Sequence, residues 1–278
     1  INKINGMESK LFTLDEINQI TKGDSIHSLM NSAFPYSDKS LVLLSNSKTR
    51  MLIDWKAKKI EWMQSCKGES SEDWSKKSRS VAFVKDDNLF ITNAEGKTSQ
   101  LTTDGSHNIV YGQSVHRDEF GIYKGTFWSN DGSLLAFYRM DQSMVPDYPQ
   151  VDIDTRIATL EPEKYPMAGE TSHKVTIGIY QVKSGKTIYL KAGDPTDRYF
   201  TNITWSPDDK RIYVIELNRD QTDEELVCYD ASTGEKISTL YREHDDKYVH
   251  PVNPITFLPW DQSKFILQSE KDGYKHLY

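Results

Sequence analysis

Two neighbouring carboxylates, Asp118 and Glu119, lie in the run Val115-His116-Arg117-Asp118-Glu119-Phe120-Gly121, where charge interrupts an otherwise apolar and aromatic stretch. Composition alone favours an exposed charged turn. The sharper reading is a carboxylate pair facing an interior where a cationic ligand is captured, because a charge-assisted bond to an ammonium is about twice as strong as a neutral one. Other chemistry is missing from these residues. There is no G-x-S-x-G turn to expose a nucleophilic serine, no H-E-x-x-H, no Walker loop and no G-x-G-x-x-G. Asp152-x-Asp154 lacks the further oxygen ligands and the glycine of a calcium loop and reads as a solvated acidic turn. The seven His show no ligand spacing, so each reads as a surface or hydrogen-bonded residue, and neither metal nor cofactor is expected. Cys66 and Cys228 stand far apart and form no C-x-x-C pair, which suits free thiols.

The elements that must hold the acidic pair are strands. Apolar residues at 37%, charged residues at 27% and an aromatic set of 15 Tyr, 10 Phe and 6 Trp describe a globular, β-leaning chain. Thr13 and Glu16 form a helix N-terminus signature, which places a short helix somewhere in 14–30. After it come runs of β-branched and aromatic residues between polar turns. Aligned at Val42, Ala82, Ala136, Tyr213 and Ile266, they recur at intervals of 40, 54, 77 and 53 residues. Two runs have near-identical approaches, Trp128-Ser129-Asn130-Asp131-Gly132 and Trp205-Ser206-Pro207-Asp208-Asp209. Gly96, Gly185 and Gly234 mark a later hairpin turn within three of the units.

A unit of about 40–50 residues with four strands is a propeller blade. A β-sandwich would not repeat the Trp-Ser approach. The long interval needs an insertion, which 142–172 supplies, with Pro146, Pro149, Pro162 and Pro166 breaking the strand pattern. The expected fold is therefore all-β, with four-stranded antiparallel blades, four complete and a fifth begun. The chain stops inside a blade, as expected of part of a longer polypeptide. A formal charge of −7 without a basic run argues against nucleic acid, and no stretch approaches the roughly 20 apolar residues of a membrane span. The polar start, Ile1–Lys10, fits a cytosolic protein or one whose leader has been removed.

The run Tyr111–Ile122 with Lys124–Ser129 resembles the dipeptidyl peptidase IV family of prolyl oligopeptidase-type serine peptidases. Leu135–Val145, Tyr165–Gly169, Ser172-His173, Val175–Tyr180, Leu217–Arg219, Pro254, Thr256–Pro259 and Asp272–Tyr278 agree, so the resemblance runs from about residue 12 to the end. It implies the N-terminal part of an eight-bladed propeller, over the whole of 1–278, capping a C-terminal α/β-hydrolase domain that this chain does not contain. The implied activity is release of N-terminal di- or tripeptides after proline. The implied substrates have a free N-terminus, the implied location is the periplasm, cell surface or exterior, and a homodimer is a possible assembly. In the family an acidic residue binds the substrate's α-amino group, and Glu119, followed by Phe120, matches it. Dipeptidyl members have two consecutive glutamates and tripeptidyl members keep only the second. This chain has Asp118 in the first place, which leaves product length open. Tyr248 and His250 complete the expected substrate-binding set. The family's arginine for the substrate carbonyl has no aligned match; Arg50 lies in the right region, in different surroundings. The reading from another class is a free-standing scaffold propeller.

Overall fold

In a computed structural model, described for residues 6–278 except 24, 31 and 67, the regular secondary structure is almost all antiparallel strand. It divides into two compact units, residues 1–69 with 93–97 and residues 70–92 with 98–278.

In the first unit α1 (Leu14–Thr21), the single α-helix among the described residues, begins where the sequence places it. Thr13 Oγ1 accepts from the Glu16 N–H at 3.1 Å, and Glu16 returns a carboxylate to the Thr13 N–H at 2.7 Å. Lys22 closes the helix in a left-handed cap. Its Ile17, with Ile26, buries against Val42, Leu44, Met51 and Ile53. Those four come from β1 (Leu41–Ser45) and β2 (Thr49–Asp54), which with β3 (Lys59–Ser65) make a three-stranded sheet. Ala33 bridges Leu43 on the other edge of β1, occupying the place of a fourth strand.

The second unit contains the next blades. β4 (Ser70–Ser75), β5 (Ser80–Lys85), β6 (Asn88–Thr92) and β7 (Thr98–Gln100) pair in chain order. The following sheet is built from β8 (Ile109–Tyr111), β9 (Thr126–Trp128), β10 (Leu134–Asp141) and, past the insertion, β15 (Lys174–Gln181) and β16 (Lys186–Tyr189). The insertion departs from expectation. Its prolines do not abolish strand pairing, because β11 (Asp147–Tyr148) pairs with β14 (Glu163–Lys164) and β12 (Val151–Asp152) with β13 (Thr159–Leu160) in ladders of two residues each. Strands this short place their prolines outside the paired positions. Next comes β17 (Arg198–Trp205), β18 (Arg211–Asn218), β19 (Asp223–Asp230) and β20 (Lys236–His244), again in chain order. Two two-stranded ladders end the chain, β21 (Thr256–Leu258) with β22 (Asp261–Ile266) and β23 (Gln268–Ser269) with β24 (His276–Leu277).

The five aligned positions fall on equivalent strands, since Val42, Ala82, Ala136, Tyr213 and Ile266 lie on β1, β5, β10, β18 and β22. Gly96, Gly185 and Gly234 sit in the hairpin turns, each at positive φ. The repeated Trp-Ser approach is an inter-blade joint. The Trp128 Nε1–H donates to the Asp73 carbonyl of β4 at 3.0 Å, and the Trp205 Nε1–H donates to the Phe127 carbonyl of β9 at 2.9 Å. Each indole thus spans from its own first strand to that of the blade before. The serine behind each Trp folds the following turn: Ser129 Oγ accepts from the Leu134 N–H at 2.9 Å, and Ser206 Oγ from the Arg211 N–H at 3.0 Å. Asp209 adds a link, its carboxylate accepting from the Asn130 and Asp131 N–H groups at 2.8 and 2.9 Å.

Removing an inter-blade indole leaves a cavity and an orphaned carbonyl. Trp205, buried at 8% exposure, is expected to cost about 3–5 kcal/mol on replacement by alanine. Trp128 is only half-buried and is expected to cost less. Chemical denaturation of Trp205→Ala and Trp128→Ala checks both the loss and its order; unchanged stability in both variants would contradict the joint.

Candidate functional site

The acidic pair lies on a loop that interrupts one strand. β8 and β9 pair with the same edge of β10, β8 against Arg139–Asp141 and β9 against Leu135–Phe137. Tyr138, between them, closes the gap with both of its backbone polar groups, its N–H donating to the Gly125 carbonyl at 2.9 Å and its carbonyl accepting from the Gly112 N–H at 2.9 Å. Residues 112–125 are therefore an excursion from the blade's first strand, pinched at its base. A Cβ on Gly125 would come within 2.0 Å of the Gln113 carbonyl oxygen, so only glycine lets the two legs meet.

The tip of the excursion is a left-handed turn. His116, Arg117 and Asp118 have φ of 53°, 56° and 62°, and Phe120 follows at 56°. A left-handed residue other than glycine costs about 1–2 kcal/mol. The two hydrogen bonds inside the turn, from the Asp118 N–H to the Val115 carbonyl at 3.2 Å and from the Glu119 N–H to the His116 carbonyl at 3.1 Å, return about 0.5–1.5 kcal/mol each. The turn therefore has to be held from outside. Strain of this kind gathers at functional sites.

Three anchors hold it. Phe120 is buried with Leu217 and Val249, and its ring lies 5.1 Å from that of Tyr199. Asn202, on a bulge of β17 and itself left-handed at φ 54°, donates from Nδ2 to the Phe120 carbonyl at 3.2 Å and to the Pro251 carbonyl at 2.8 Å. His116 and His173 form a buried pair, with His116 Nδ1 and His173 Nε2 3.0 Å apart. Gly121 then passes so close to the 250–252 segment that a Cβ there would lie 2.0 Å from the Val252 carbonyl oxygen.

Held this way, Asp118 and Glu119 are both exposed. Neither carboxylate has a hydrogen bond or ion pair among the described residues. Their neighbour Arg117 is turned away from them, with Nη1 2.9 Å from Glu163 Oε1 and its guanidinium 4.9 Å from the centre of the Tyr165 ring. The two negative charges are thus not neutralised by the adjacent cation. Asp118 borders a cleft of about 670 Å³, whose other walls include Gln113, His173, Gln142 and Lys164. Glu119 lies near Tyr199, whose hydroxyl is pushed up from its ordinary pKa by burial, with a contribution from the Glu119 charge.

Of the other expected residues, His250 is exposed and its ring stands 6.4 Å from Phe120, beside the turn. Tyr248 lies on the same segment at 58% exposure, and its described hydrogen bond, from its N–H to Asp245, stays within its own loop. Arg50 belongs to the first unit, buried on β2. There burial depresses the guanidinium, with Cys66 and then Glu69 opposing that shift. Both cysteines are free and buried. The Asp152 carboxylate accepts from the Asp154 N–H at 2.8 Å, as a turn of that composition should. Tyr199, Asn202 and the histidine pair were not legible as site residues, because their partners lie 49 to 84 residues away along the chain.

Residues 36–278 match the dipeptidyl peptidase IV (DPP IV) N-terminal region. A probable dipeptidyl-aminopeptidase B of Uncinocarpus reesii is 32% identical over 231 residues, covering 73% of this chain and 25% of its own length. One of Talaromyces marneffei is 29% identical, covering 73% and 26%. The chain spans about a quarter of the length of these curated relatives. Among solved structures, one described as a dipeptidyl aminopeptidase IV from Bacteroides ovatus superposes with a TM-score of 0.87 at 46% identity, covering 98% of this chain and 38% of that one. Porphyromonas gingivalis dipeptidyl peptidase 4 gives 0.71 at 25% identity, covering 90% and 35%. The chain belongs to the dipeptidyl peptidase IV family, within its N-terminal region.

Proposed function

We propose that this chain is the substrate-gating, amine-binding propeller region of a post-proline serine exopeptidase, with Glu119 as the main anchor for the substrate's N-terminal ammonium and Asp118 as its assistant. The observation that carries the reading is the pair of unpaired carboxylates on a strained, externally braced turn, with Arg117 drawn off to Glu163 and Tyr165. A carboxylate exposed for solubility needs no such bracing. His250 stands beside the turn and supplies a further polar group for the substrate.

An α-amine with a pKa of about 7.7–8.0 is mostly protonated at neutral pH, so it meets Glu119 as a cation. The nucleophile, its histidine and the oxyanion hole come from a C-terminal hydrolase domain of the parent protein, and they perform acyl transfer by the Ser-His-Asp scheme. The propeller's part is register. Proline sits next to the scissile bond, so the distance from Glu119 to the serine decides whether a dipeptide or a tripeptide is released. Sequence in this family is the support for an exported location; among the described residues no helix is long and apolar enough to cross a membrane.

Two outcomes check this reading. In the full-length protein, losing a charge partner that becomes desolvated on binding costs about 2–5 kcal/mol. Glu119→Gln should therefore lower kcat/KM for free-amine substrates by about 30-fold or more, toward the lower end because Glu119 is exposed when free. Asp118→Asn should do less, its side chain being a carbon shorter than glutamate. Wild-type cleavage by Glu119→Gln, or a larger loss in Asp118→Asn, would contradict the assignment. Separately, the 278-residue chain alone should cleave neither dipeptidyl- nor tripeptidyl-proline chromogenic substrates, and cleavage by the pure chain would overturn the division of labour.

A further inference from the structure

His116 and His173 are both nearly inaccessible, at 4% and 6% exposure, and they join three elements. The Phe200 N–H of β17 donates to His116 Nε2 at 3.3 Å, which fixes that nitrogen as an acceptor. The proton of a neutral His116 then sits on Nδ1 and points at His173 Nε2, 3.0 Å away. The same His173 Nε2 accepts the His116 backbone N–H at 3.3 Å. One imidazole nitrogen of His173, just ahead of β15, thus receives both the side chain and the backbone of the first left-handed residue. The ring centres lie 5.0 Å apart with their planes 24° from parallel, and Tyr199 stands edge-on to His116 at 4.8 Å.

We propose that the His116–His173 pair is the positioning device for the amine anchor: it locks the left-handed turn to β17, aims Glu119, and so sets how many substrate residues fit before the scissile bond. This rests on the reading of Glu119 as the anchor. The geometry demands that both rings be neutral, because a proton on His173 Nε2 would remove the acceptor shared by two donors. The surroundings enforce that state. Burial, then the charges of Arg117 and Arg219, hold His173 down at about 4, and burial with the His173 charge holds His116 well below its ordinary value. Other groups facing the pair are Tyr199 on β17 and, around the cleft, Asp87, His107, Asp118, Glu163 and Lys164.

The sign of the pH effect follows. Both native values lie below the unfolded value of about 6.5, so the locked turn is fully favoured above that pH. As pH falls from about 6.5 toward 4, the unfolded chain binds protons that the native pair excludes, and stability declines. Through about 4 the native His173 itself protonates and the lock opens.

The test is the ratio of kcat/KM for a dipeptidyl-proline and a tripeptidyl-proline substrate, measured on the full-length protein. The ratio cancels the fraction of active enzyme, so a merely structural loss leaves it unchanged. A misplacement of about 1 Å can cost up to about 100-fold; His173→Leu is expected to move the ratio toward unity by about tenfold or more. His173→Gln, whose Oε1 can replace Nε2 as acceptor, should keep it within about threefold on the same grounds. An equal loss on both substrates in His173→Leu, or no loss, overturns the proposal. Should the leucine variant fail to fold, the wild type decides. A ratio that flattens as pH approaches 4 supports the lock, and a constant ratio overturns it. Glu119→Gln separates the two ideas: if it changes neither substrate, the anchor reading itself fails. If it acts while His173→Leu leaves the ratio alone, only the positioning role falls.

Discussion

The backbone N–H and carbonyl of Tyr138 hold the site in place. By bonding the Gly112 N–H and the Gly125 carbonyl, they let a blade's first strand leave the sheet and return to the same line. Without that pair of hydrogen bonds, the excursion between β8 and β9 would have no fixed base. The phenol of Tyr138 extends the constraint, donating to the Phe200 carbonyl at 2.9 Å. Phe200 in turn gives its N–H to His116. One residue on β10 therefore fixes the base of the loop, the neighbouring blade and, through one more hydrogen bond, the tip.

Blade joints and site braces share this logic. The indoles of Trp128 and Trp205 reach back to backbone carbonyls of the preceding blade, and Asp209 caps the turn at Asn130 and Asp131. These links fix how successive blades of the second unit meet. Asn202 and the histidine pair use the resulting seam between blades to brace a turn that its own two hydrogen bonds cannot hold. Strain at His116–Asp118 is tolerable because the seam is made of groups already locked by sheet pairing. Arg117 gains an ion pair and an aromatic face on the insertion, and its departure leaves the acidic residues unneutralised.

Much of this was legible in the sequence, for definite reasons. Strand runs, glycine hairpins and the Trp-Ser approaches are local signals that placed the blades, as the Thr13 and Glu16 signature placed α1. The acidic pair stood out because charge interrupts an apolar run. The insertion was recognised by its prolines, but its short ladders were not, since two-residue pairings carry no periodicity. The left-handed backbone of His116, Arg117 and Asp118 has no sequence mark, as none of the three is a glycine. His173 was invisible as a brace for a residue 57 positions earlier. Tertiary contact decides those features.

The central claim, that a braced carboxylate receives the substrate's amino end, is tested most directly by a crystal structure of the full-length protein with a proline-containing peptide bearing a free N-terminus. An anchored amine places the ammonium nitrogen within about 2.7–2.9 Å of a Glu119 carboxylate oxygen, with the turn at His116–Asp118 still left-handed. An ammonium held by other groups, with Glu119 still facing solvent, would contradict it.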